Sequence, residues 1–155
     1  MSNEHSLNDF LPLLRLNEFI SIDFETTGLN PEKDRITEFS ACKFVNGEFS
    51  EEFTSLINPE IPIPKNITAL TGITNQMVKD APLISDILPD LLDFIDNTPL
   101  VGQNVDFDYQ FLINNIAASN LSLPDLTLYD TLSLARSFIY FHNSFSLGSL
   151  CAFYD

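Results

Sequence analysis

The sequence predicts an α/β fold, a mixed sheet flanked by helices in a single domain. Three observations lead there. Three strand-like stretches follow one another, at about 18–24, 36–46 and 48–57, and Asn46-Gly47 between the last two is a strong hairpin signal. A short apolar run, P-L-V-G-Q at 99–103, reads as a buried strand. Helical spacing of apolar residues surrounds that run, and consecutive strands followed by alternating helices and strand give a mixed sheet between helical layers.

Taken in order, residues 6–16 (S-L-N-D-F-L-P-L-L-R-L) read as a short helix with Ser6 as a cap, against which Pro12 argues. The three strands follow. A proline-rich loop, N-P-E-I-P-I-P-K, leads to a short helix near 66–70. Residues 83–96 carry Leu and Ile at helical spacing, and the strand at 99–103 comes next. A helix is expected over about 105–118 with Asn104 as its cap, another over about 130–139, and a last one beginning near Ser146.

The chain has 155 residues, 45% of them hydrophobic and 14 of them Phe, which suits one domain with a substantial core and excludes a disordered chain. No uninterrupted apolar run is long enough for a bilayer, so no membrane partner is expected. The start M-S-N-E-H-S-L-N-D-F lacks the basic and apolar regions of a signal peptide. A cytoplasmic setting is therefore expected, with Cys42 and Cys151 reduced and buried. The net charge of −15, from 22 acids against 7 bases, argues against strong unaided binding to a nucleic-acid backbone. A nucleic acid would have to be held by metal, backbone amides and stacking, or delivered by a partner.

The chemistry-bearing segment is S-I-D-F-E-T-T-G-L-N-P, residues 21–31. Asp23 and Glu25 are two apart on a strand and so share a face. They lie at its carboxyl end, where open α/β sheets place their ligands. Two adjacent carboxylates repel unless a proton or cation lies between them, and hard oxygen donors suit magnesium or manganese. Taken alone, such a pair is more often a solvated rim.

Three further segments matter. In V-G-Q-N-V-D-F-D-Y-Q-F-L, residues 101–112, a strand runs into a helix whose first turns carry Asp108, returned toward the end of the first strand. Phe107 and Phe111 share a helix face. The plainer reading is a capped helix with Asp108 favouring the dipole. In L-Y-D-T-L-S-L-A-R, residues 128–136, Asp130 is most simply a helix N-cap. In I-T-A-L-T-G-I-T, residues 67–74, Gly72 centres a turn that ends one helix and precedes the next.

Together and in this order, D-F-E-T-T-G-L, L-T-G-I-T, G-Q-N-V-D-F-D-Y-Q-F-L and Y-D-T-L-S-L-A-R resemble the DEDD (DnaQ-like) 3′–5′ exonuclease superfamily, and within it the proofreading exonucleases of replicative polymerases. The resemblance covers about 17–155, leaving 1–16 as an N-terminal extension. It implies a ribonuclease H-like fold and two-metal hydrolysis of phosphodiesters from a DNA 3′ end, with Mg2+ or Mn2+ as cofactor. It implies Asp23, Glu25 and Asp108 as metal ligands. The backbone at Thr26, Thr27, Gly28 and Leu29 would line the 3′-terminal sugar. Leu70, Thr71, Gly72, Ile73, Asn104 and Phe107 would meet the terminal nucleotides. The implied partners are a single-stranded 3′ end, DNA ahead of RNA, and a polymerase or other DNA-binding subunit.

Two departures qualify the resemblance. Gln103 stands where the family usually has His; it keeps hydrogen bonding and loses titration. The family's third motif, a His followed five residues later by an Asp, belongs on a helix beyond S-L-G-S-L-C-A-F-Y, and this sequence ends at Asp155. His142 precedes that helix and His5 lies in the extension, so neither stands in the motif's place. The expectation is therefore a true exonuclease lineage with an incomplete site, slow or inert alone, bordered by an apolar groove near Leu147, Leu150 and Phe153. An RNA-trimming exonuclease, a catalytically dead binding module, and a metal- or small-molecule-binding domain of other ancestry are the alternatives.

Overall fold

The structure is a computed structural model describing residues 16–139 and 144–154. The helix expected over 6–16 lies outside those residues, except for Leu16, as do His5, His142 and Asp155. The strands are β1 (Glu18–Thr26), β2 (Ile36–Val45), β3 (Glu48–Leu56), β4 (Leu100–Gly102) and β5 (Leu128–Asp130). They form one sheet in the order β3-β2-β1-β4-β5. β1 pairs antiparallel with β2, and β2 with β3, whereas β1–β4 and β4–β5 are parallel. The expected mixed sheet is thus present.

Local chemistry explains the elements. Asn46 and Gly47 both adopt positive φ, 53° and 82°, as a type I′ hairpin turn requires. Helix α1 (Lys65–Thr71) ends at Gly72 in the left-handed region, φ 80°, and Thr74 then caps α2 (Asn75–Val78) through Met77 N–H. Helix α3 (Ile84–Ile95) turns Leu88, Leu91 and Ile95 into the core. Asp130 is the N-cap of α5 (Thr131–Phe138), accepting from Leu132 N–H and Ser133 N–H as its position implied.

Two of the expected elements differ. β5 is a strand of three residues where only a helix start was read; L-Y-D is too short to show a strand period. Helix α4 (Asp106–Ala118) is not capped by the Asn104 side chain; its N-cap is Val105, with no side-chain cap bond. Asn104 instead adopts φ 61° and makes the turn out of β4, while its N–H donates to Asp130 Oδ1 at 2.7 Å. The turn is tight because Gly102 lies against β1: a Cβ there would come within 3.1 Å of Ile22 O.

The core joins Ile20, Ile22 and Phe24 of β1 to Phe39 and Ala41 of β2, and to the inner faces of α3 and α4. Phe39 stands edge-on to both Phe24 and Phe53 at ring centroid distances of 6.4 and 5.1 Å. Helix α6 (Leu147–Tyr154) buries only Leu150. An apolar groove of about 530 Å³ separates α5 from α6, lined by Leu134, Phe138, Leu147 and Leu150, with Tyr154 where Phe153 was expected. Neither cysteine is buried as expected: both are free, Cys42 half-buried and Cys151 exposed one residue past the single anchor of α6. No helix among the described residues is long and apolar enough to cross a membrane.

Candidate active site

Alternation along β1 sends Ile20, Ile22, Phe24 and Thr26 inward, leaving Asp23 and Glu25 on the other face. Register places Asp23 opposite Ser40 and Glu25 opposite Glu38. β2 then carries one extra residue, Thr37, so that Thr26 faces Ile36. Bulges of this kind re-aim backbone beside functional sites.

Asp108 arrives from the other side of β1. Ile20 donates its N–H to Pro99 O, toward β4. Four residues on, Phe24 presents its N–H the same way, beyond the end of the short β4. There Asp108 Oδ1 accepts it at 2.7 Å, in the place of a missing strand carbonyl. The Asp108 side chain is 4% exposed. Burial, offset in part by the Phe24 amide and reinforced by Asp23 and Glu25, pushes its carboxyl up to about 7. Glu25 is also raised, by burial, then by Asp23, then by Glu38. Loss of hydration raises Asp23. The three carboxylates therefore share one electrostatic neighbourhood at the carboxyl end of β1.

The donor set is all hard oxygen, which fits Mg2+ or Mn2+. Among the described residues no three His, Cys, Asp or Glu side chains stand together closely enough to hold a metal ion. The described residues also contain no histidine.

The remaining candidates fall into two groups. Thr26 and Thr27 are buried, Thr26 Oγ1 donates to Gly28 O at 2.6 Å, and Leu29 is 82% exposed at the end of this loop. Phe107 lies partly buried against Phe111, ring centroids 5.1 Å apart. The turn at 70–73 is separate, built on the small cluster of Ile63, Ile73 and Val78. Leu70 is exposed there, Thr71 Oγ1 accepts from Ile73 N–H, and Ile73 is buried, leaving its backbone rather than its side chain to meet a ligand.

Two residues were not singled out by the motifs, and a third, Gln103, was noted only as a departure from the family pattern. Glu38 is found only through the β1–β2 register. Asp34 closes the loop after β1, as described below. Gln103 uses both ends of its amide, accepting from Thr131 Oγ1 at 2.6 Å and donating to Phe145 O at 2.7 Å. It ties the end of β4 to the start of α5 and to the segment before α6.

Comparison with known proteins follows this geometry. The PolC-type DNA polymerase III of Caldanaerobacter subterraneus subsp. tengcongensis is 39% identical over 138 residues, 89% of this chain and 10% of the polymerase. The 3′-5′ exonuclease DinG of Bacillus subtilis is 36% identical over 119 residues, 76% of this chain and 13% of that protein. The chain thus spans about a tenth of these relatives. A crystal structure of E. coli exonuclease I in complex with a 5cy-dA13 oligonucleotide superposes with a TM-score of 0.77 at 20% identity, covering 88% of this chain and 35% of that one. The zinc-bound form of an E. coli exonuclease I–single-stranded DNA complex gives 0.74 at 21% identity, covering 84% and 33%. At such identity the likeness shows the fold, the ribonuclease H-like sheet of exonuclease I. The exonuclease family model RNase_T matches residues 20–155, most of the sequence, and the chain belongs to that family.

Proposed function

We propose that residues 17–155 form a 3′–5′ exonuclease domain that removes nucleotides from single-stranded DNA ends, with Asp23, Glu25 and Asp108 holding Mg2+ or Mn2+. The observation that supports this reading is the Phe24 N–H to Asp108 bond, which ties Asp108 to the backbone of the residue between Asp23 and Glu25. Bound divalent ions would activate water and balance charge on the phosphate. The chain's own residues do the rest. Asp23 and Glu25 offer oxygens from one strand face, and Asp108 is fixed by a backbone amide. The backbone at 26–29 receives the terminal sugar, and Leu70 and Phe107 contact the end bases.

With a charge of −15 the chain has little to draw in a phosphate backbone over distance. DNA delivery by a larger replication protein answers this, and the PolC-type relatives are such proteins. Their names, and the oligonucleotide on exonuclease I, support DNA over RNA. Free Cys42 and Cys151 accord with the reducing cytoplasm where replication proteins work. A 5′-labelled single-stranded oligonucleotide with Mn2+ tests the reading. Stepwise shortening from the 3′ end, lost in Asp23→Ala and in Asp108→Ala, is expected; shortening unaffected by either substitution overturns it.

A further inference from the structure

We propose that Asp34 is the positioning residue that sets the loop at 26–29 in the shape that selects a free 3′-hydroxyl end. This rests on the reading above, in which that loop's backbone meets the terminal sugar.

The Asp34 carboxylate spans the loop from its far side. One oxygen accepts from Thr27 Oγ1 at 3.3 Å and the other from Asn30 N–H at 2.8 Å. Thr27 Oγ1 in turn accepts from Arg35 N–H at 3.0 Å, and Thr27 N–H donates to Arg35 O at 2.8 Å. The Asp34 N–H closes back on Asn30 O at 2.7 Å. The loop from 27 to 35 is thus a bonded ring joined to β1 and β2 at its base, and Asp34 is the one side chain that bonds both Thr27 and Asn30 across it.

Gly28 shows how closely the carboxylate is seated. A Cβ there would stand 2.5 Å from Asp34 Oδ2 and 2.6 Å from its Cγ. Glycine at 28 and aspartate at 34 therefore form one unit, with the carboxylate occupying the space a side chain at 28 would need. The Asn30 N–H needs an acceptor, whereas the Thr27 hydroxyl can either donate or accept. Asp34→Asn can keep its Oδ1 on Asn30 N–H and turn its NH₂ to Thr27 Oγ1, so it preserves the ring that Asp34→Ala breaks.

The test combines amide hydrogen exchange with binding of an oligothymidylate ending in either 3′-hydroxyl or 3′-phosphate, with Mn2+ present and a phosphorothioate at the last linkage to slow cleavage. In the native chain the hydroxyl end should bind about tenfold more tightly, the size of a good hydrogen bond or two. Asp34→Ala should lose exchange protection at Asn30 and bring that ratio close to one, while overall protection of the β1 core stays unchanged. Asp34→Asn, which can keep both contacts, should stay close to the native chain. Gly28→Ala should act like Asp34→Ala and add little on top of it, as expected of coupled neighbours. Lost protection with the ratio retained would make Asp34 merely structural and overturn the inference, as would a loop still protected in Asp34→Ala. A native chain without the preference, and with metal-dependent hydrolysis unaffected by Asp108→Ala, would overturn the underlying exonuclease reading instead.

Discussion

Asp108 and Phe24, 84 residues apart in sequence, meet in a buried 2.7 Å bond between a carboxylate oxygen and a strand amide. The contact fixes where the third carboxylate stands, and it leaves a like charge beside Asp23 and Glu25. The first prediction concerns pH. Asp108 has an ordinary value of 3.8 and is pushed up to about 7 in the folded chain. The folded state therefore binds the extra proton between those limits, and stability attributable to this group falls as pH rises from about 4 to 7. Asp108→Asn keeps an acceptor for Phe24 and drops the charge. In metal-free buffer the variant should be more stable than the native chain at neutral pH, by on the order of 2–4 kcal/mol, with no advantage below pH about 4. Urea melts at several pH values check this; a constant difference across the range would show that Asp108 does not titrate as described.

Metal addition should relieve the same repulsion. Mn2+ is expected to bind only at about micromolar to millimolar concentration, because the carboxylates are not gathered into a ready ligand group and water fills the remaining positions. It should raise the melting temperature and broaden first the amide signals of Asp23 and Asp108. The acidic run Glu51-Glu52 on β3 serves as the internal control. Broadening centred there, or binding unchanged in Asp23→Ala, would put the metal elsewhere.

Thr37 offers a second stabilising substitution. Its Oγ1 is the one buried side-chain oxygen without a hydrogen-bond partner among the described residues, and the residue is fully buried at the β2 bulge. An unpaired buried hydroxyl costs about 1–3 kcal/mol. Thr37→Val keeps the shape and should raise stability by about 1 kcal/mol or more in thermal melts, whereas a loss would reveal a partner for that oxygen.

Much of this was readable in the residues, and the rest was hidden for identifiable reasons. The hairpin announced itself because Asn46-Gly47 suits positive φ at two successive positions. Asp23 and Glu25 were legible because strand period is fixed at two. Asp130 reads as a cap from its place before an amphipathic helix, and it is one. Asn104 read the same way and is a turn residue instead, because β4 ends against β1 and the chain must reverse within three residues before α4 begins. Asp34 and Glu38 carry no local signal: one acts across a loop and the other through cross-strand register, and both are tertiary facts. Cys151 was expected inside on composition, but α6 turns only Leu150 inward.

Gln103 gives a fourth prediction. Gln103→Ala removes both bonds, to Thr131 and to Phe145. It should cost about 1–3 kcal/mol and speed hydrogen exchange across α6, including Leu150, whose N–H donates to Ser146 O. Exchange at β1 amides should stay as it was at temperatures well below the melt. Unchanged exchange in α6 would mean that its position does not depend on Gln103.

The most direct test of the central claim follows a 5′-labelled single-stranded DNA incubated with the purified chain and Mn2+, alongside Asp108→Ala and a chelator control. Shortening by single nucleotides from the 3′ end, requiring the metal and absent in Asp108→Ala, is the predicted result. Shortening that survives the substitution or the chelator would contradict it.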